Sequence, residues 1–271
     1  MNMLLLVKNR REVMNYKLVK NISTIMISIS IASTLSFGSS EIKKSELINI
    51  AGKQRMLSQR IAKDYLYIGR KIAKSKAQKE FKESMKDFLS AHKKLYNSID
   101  DPEIKNLLDF VALSSDDLKE LANKEFTLDN AQLILDLSES MLEGSQYVFD
   151  SLEKTLKIKE SKIIAIATKQ RMLSQRIAKY YISYQSGIKD KNTVDMMQET
   201  VNSFSKNLNT LMHNKSNSPK INKKLAEIDK LWKIVHKFYN NIEKGGLPLI
   251  VFNSTDKITK KMDEITKMYL F

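Results

Sequence analysis

Arginine is the scarce cation of this chain. The 46 basic residues include only seven arginines, and four of them, Arg55, Arg60, Arg171 and Arg176, fall in one motif that occurs twice. The motif is the eleven-residue stretch KQRMLSQRIAK, present at 53–63 and repeated without change at 169–179. A guanidinium is a planar fork of donors that meets paired oxygens bidentately, so an arginine fixed in a repeat suits a carboxylate or a small oxyanion. Local carboxylates are absent, since no acid occurs from Leu47 to Lys63 or from Ser161 to Ile188. That favours a ligand as partner; a carboxylate supplied by another helix is the alternative.

The surroundings of Arg55 sharpen this reading. On a helix of 3.6 residues per turn, the residues within about sixty degrees of Arg55 are Ile48, Ala51, Gly52, Ser58, Gln59, Ala62 and Leu66. Four of these are small, and a glycine inside a helix costs about 1 kcal/mol relative to alanine. Such a face implies that another backbone, or a ligand, approaches closely. Ala51, Gly52, Arg55 and Gln59 are therefore candidate ligand-binding residues. Two such arginines facing each other would repel unless an anion lay between them. Ile50, Leu57 and Ile61 lie on a different face that suits the core. Arg60 and Arg176, about 140 degrees away, are expected at the surface or in contacts between helices.

Positioning these side chains requires long helices. The chain has 271 residues with only 7 Gly and 3 Pro, too few turn residues for a strand-rich fold. The repeat extends beyond the motif, because Ile48, Ile50 and Ala51 match Ile164, Ile166 and Ala167, so the chain is a tandem duplication. Each copy reads as four helices: 42–75, 79–98, 102–123 and 128–156 in the first, 157–187, 193–213, 219–243 and 248–270 in the second. Pro102, Pro219 and Pro248 stand where helices should begin. The expected fold class is all-α, two tandem four-helix bundles spanning 41–156 and 157–271. Between Leu128 and Gly187 there is no proline and only Gly144. The bundles are therefore expected to stack end to end through a long shared helix, the alternative being a reversal near 157–162 that lays the motif helices side by side.

The N-terminal segment has the order of an export signal. Lys17 and Lys20 precede an uncharged stretch, Asn21 to Ser40, that is rich in serine and threonine. Residues 1–40, with translation starting at Met1 or Met14, read as a cleaved signal peptide and imply a periplasmic protein; an uncleaved anchor in the inner membrane is the alternative. The net charge of +15 comes mostly from lysines scattered along helical faces, and no basic run is interleaved with aromatics, so nucleic acid is not an expected partner. The chain lacks cysteine, and His92, His213 and His236 are far apart without a second ligand at helical spacing. No nucleophile or phosphate-loop motif is present. No catalytic residue, metal site or cofactor is expected, and the protein is not read as an enzyme. Trp232, Phe238 and Tyr239, with Leu231 and Val235, are assigned to the core.

The segment Ile48 to Lys63, INIAGKQRMLSQRIAK, resembles the opening helix of the PilJ-type domain, the N-terminal sensor domain of type IV pilus chemotaxis transducers. It is similar, more distantly, to the first periplasmic helix of nitrate and nitrite sensor kinases. The resemblance implies a four-helix bundle that forms a homodimer through its first helix. In the nitrate-sensing relatives it also implies an anion, nitrate or nitrite, held between paired arginines. Carried over by position, Arg55 is the anion-binding arginine and Gly52 permits the close contact. Arg171 matches in the second copy, where Thr168 stands for the glycine and Ala165 for Asn49. The relatives carry membrane spans and signalling domains after the sensor; with neither read after the second copy, occupancy is expected to be relayed to a membrane-bound chemoreceptor or sensor kinase.

Overall fold

A computed structural model describes residues 44–156 and 161–270. The proposed signal peptide, 1–40, and the junction at 157–160 lie outside these residues. Eight α-helices account for nearly all of the described chain: α1 (Lys44–Gly69), α2 (Lys74–Ser98), α3 (Pro102–Ala122), α4 (Leu128–Leu156), α5 (Ser161–Ser186), α6 (Lys191–Met212), α7 (Pro219–Asn240) and α8 (Pro248–Leu270). A 3₁₀ turn, Ile242–Lys244, precedes α8. No strand occurs among the described residues, and no described helix is long and apolar enough to cross a membrane. The all-α expectation holds.

Helix starts follow from sequence. Pro102 opens α3 behind Asp101, whose carboxylate accepts from the backbone N–H groups of Glu103 and Ile104. Ser218 caps α7 in the same way, ahead of Pro219. The first helix, expected to run to residue 75, stops at Gly69. The N–H of Ile72 bonds the carbonyl of Tyr67 and that of Lys71 bonds Ile68, closing the helix with Lys71 in the left-handed region at φ 57°. The second copy closes α5 by the same pair of bonds, with Gly187 in the left-handed place. The stop in the first copy was hard to read because a lysine occupies the position that glycine normally marks.

The arrangement of the copies departs from the stacked expectation. The motif helices α1 and α5 pack against each other along their length, α1 also packs on α2 and α4, and α5 on α6 and α8. The two copies thus lie side by side within one compact unit. The lack of a helix breaker argued for stacking, but the small-residue face of α1 needs a close neighbour, and α5 supplies it. Nearly every residue of α1 from Leu47 to Tyr67 is buried, which explains why the motif helix shows no single apolar stripe.

Candidate functional site

The site is built where α1 and α5 meet. A side chain at Gly52 would place its Cβ 2.9 Å from the Thr168 Cβ and 3.0 Å from an Arg171 guanidinium nitrogen. Glycine is therefore required on one helix because its repeat counterpart, Thr168, fills the gap from the other. Ala51, Ile48 and Leu66 are equally covered. The face expected to join a second chain is covered by the second copy of the same chain, so the first helix pairs within one molecule. Those residues need no second molecule to leave water.

Arg55 and Arg171, each at most 1% exposed, are brought into this shared seam but are neutralised differently. Arg171 Nη1 donates to Asp263 Oδ1 of α8 at 2.5 Å, while Nη2 makes a long contact, 3.5 Å, with the Asn49 carbonyl. Arg55 Nη1 donates to Gln146 Oε1 of α4 at 2.6 Å, and Nη2 to Thr168 Oγ1 at 2.9 Å. Its guanidinium lies over the Phe149 ring at 3.7 Å. Gln146 and Asp263 are equivalent positions on the last helix of each copy, so a neutral amide stands where the other copy has a carboxylate. Both arginines keep a buried Nε without an acceptor.

Electrostatics follow this asymmetry. Burial, and behind it the charge of Arg171, lowers Arg55 to about 9, only partly opposed by Asp150 and Glu153. Burial also lowers Arg171, but there Asp263 opposes it directly. Beside Arg55 opens a cavity of about 410 Å³, lined also by Gln146, Phe149, Asp150, Glu153, Lys162 and Lys169. A buried cation whose direct hydrogen-bond partners are neutral is only partly compensated by Asp150 and Glu153, and a small anion would complete the compensation. Among the expected site residues, Gly52, Ala51, Arg55 and Arg171 meet in the seam. Gln59 points elsewhere: its Nε2 donates to the Ser138 carbonyl of α4 at 2.9 Å.

The cations in the second half of each motif tie the copies together. Lys63 Nζ donates to Asp256 of α8 at 2.7 Å, and Arg60 reaches the same carboxylate at 3.4 Å. Reciprocally, Arg176 donates to Glu139 of α4 at 2.5 Å, and Lys179 to the same side chain. Arg60 and Arg176 thus make the inter-helix contacts expected of them, with acids from the other copy. Sequence reasoning missed Gln146, Asp263, Glu139 and Asp256. Their signal was there: each last helix carries a pair two turns apart, 139 with 146 and 256 with 263, facing the motif of the first helices. No cluster of three His, Cys, Asp or Glu side chains suited to a metal occurs among the described residues.

The family model for PilJ, the type IV pili methyl-accepting chemotaxis transducer N-terminal domain, matches residues 39–123 and 158–256. The chain belongs to the PilJ family. One matched segment lies in each half of the duplication, and the family is one of sensory domains rather than of enzymes. No curated protein and no solved structure matches the chain.

Proposed function

We infer that this PilJ protein is an exported binding module in which Arg55 holds a small oxyanion, nitrate or nitrite by resemblance to the sensor kinases, and that occupancy is relayed to a membrane-bound chemoreceptor or sensor kinase. The observation that carries the reading is the buried Arg55 guanidinium, whose hydrogen-bond partners Gln146 and Thr168 are both neutral. The basic and then apolar order of residues 17–40 supports a periplasmic location. A second reading, a ligand-free helical scaffold, draws on Thr168, which fills the seam beside Gly52 and already accepts from Arg55.

Thermal unfolding with nitrate, nitrite, sulfate and acetate separates the two. An anion at a hundred times its dissociation constant adds about 2.7 kcal/mol of stability. Arg55→Lys is expected to weaken the response, Arg55→Ala to abolish it, and Arg171→Ala to diminish it less. If no oxyanion raises the melting temperature, or if Arg55→Ala responds like wild type, the scaffold reading stands instead.

A further inference from the structure

A second cavity, of about 480 Å³, opens at the end of the first copy where α1 turns into α2 and α3 turns into α4. Tyr65, Phe81 and Phe126 supply its aromatic lining, and the Tyr65 and Phe126 rings meet tilted at 42° with centroids 5.5 Å apart. Lys71, Lys74, Lys82 and Lys124 complete the wall, and no aspartate or glutamate contributes to it. Lys124 pairs with Glu120 at 3.1 Å; the other three make no ion pair among the described residues.

Two further observations set this cavity apart from a solvated notch. Tyr65 is 5% exposed, and its hydroxyl is buried without any hydrogen-bond partner. Buried hydroxyls are normally satisfied, and this one, like that of its counterpart Tyr181, is not; in the first copy it stands beside an open cavity. Lys71 holds its place in the wall at φ 57°, a left-handed conformation for which the second copy uses Gly187. The equivalent region of the second copy is closed. There the chain passes so near Tyr181, the counterpart of Tyr65, that a Cβ on Gly246 would stand 1.5 Å from its hydroxyl, and Gln185 donates to the Ile242 carbonyl at 3.0 Å. In the first copy the shorter 123–127 connection leaves this space.

We propose that this cavity is a binding site for a small aromatic carboxylate, distinct from the Arg55 seam. The ring lies among Tyr65, Phe81 and Phe126, where aromatic pairs gain from edge and face contacts. The carboxylate is neutralised by the unpaired lysines and accepts from Tyr65. The volume lies within the range of small-molecule sites.

Isothermal titration calorimetry of the full chain tests this, with benzoate as probe, benzamide as its uncharged counterpart and acetate as the same charge without a ring. Benzoate is expected to bind at least about tenfold more tightly than either. The double substitution Lys74→Glu with Lys82→Glu, both on exposed side chains, should weaken benzoate by about tenfold or more while leaving the melting temperature near that of wild type. Arg55→Ala should leave benzoate affinity unchanged, which separates this site from the anion seam. Absence of saturable benzoate binding, equal affinity for benzamide, full affinity in the folded double variant, or loss of benzoate binding in Arg55→Ala would each overturn the proposal.

Discussion

The two copies carry the same eleven residues on their first helices, yet the same arginine faces a carboxylate in one copy and an amide in the other. Asp263 neutralises Arg171, whereas Gln146 merely accepts from Arg55. Identical motifs therefore acquire different chemistry from the helix packed against them. One motif arginine became structural, and the other kept its unpaired charge in the shared seam. The same contrast separates the ion-pair clusters at the far end of the motif. Lys63 has Asp256 at 2.7 Å with Asp64 and Glu80 close by, whereas Arg176 and Lys179 both converge on Glu139.

The largest effect is expected where two buried cations share one acid and, among the described residues, pair with no second carboxylate, as Arg176 and Lys179 do at Glu139. Glu139→Gln leaves Lys179, fully buried, and Arg176 without their hydrogen-bonded carboxylate, with only the more distant charge of Asp136 nearby. Breaking such a pair from one side costs about 3 kcal/mol. Asp256→Asn should cost less than half as much, because Asp64 and Glu80 remain beside Lys63. Denaturant melts at pH 7 check this; equal losses would show that the two clusters are equivalent. Burial alone would raise the Glu139 carboxyl, but Lys179 and Arg176 outweigh it and hold it at about 2. The contribution of this cluster is therefore present above the ordinary glutamate value of 4.5 and is lost as pH falls towards 2.

An effect of the opposite sign distinguishes Asp64, where the second copy has Tyr180. Both carboxylate oxygens of Asp64 are buried without hydrogen-bond partners, and burial, opposed by Lys63, pushes its carboxyl up to about 7. A folded value above the unfolded 3.8 means that the native state keeps the proton longer, so this group lowers stability as pH rises from about 4 to about 7. Asp64→Asn is expected to stabilise the protein at pH 8, by at most about 4 kcal/mol for a shift of this size, and to leave it unchanged near pH 3. Thermal melts at the two pH values read this directly; a variant less stable than wild type at pH 8 would show that Asp64 serves Lys63 as a needed counter-ion.

The helices and the duplication were legible in the sequence because proline placement, sparse glycine and an unchanged eleven-residue repeat are local signals. The small-residue face around Gly52 also announced a close neighbour. What the residues did not reveal was which helix would fill that role, since the same face suits a second chain or a second copy. The asymmetry between Arg55 and Arg171 was hidden for a related reason. It resides in Gln146 and Asp263, about ninety residues from the motif in each case, and only the packing of α4 and α8 brings them to the guanidinium groups. The expected ligand role of Gln59 ran against the same limit, because its amide is taken by a backbone carbonyl of α4.

Transplanting the acid of the second copy into the first is the sharpest test of whether an oxyanion completes the partly compensated charge of Arg55. Thermal unfolding of wild type and Gln146→Asp should be compared with and without nitrate at constant ionic strength. Nitrate is expected to raise the wild-type melting temperature, whereas Gln146→Asp should raise it without nitrate and then lose the nitrate response. A nitrate shift of the same size in both proteins, or in neither, would contradict it.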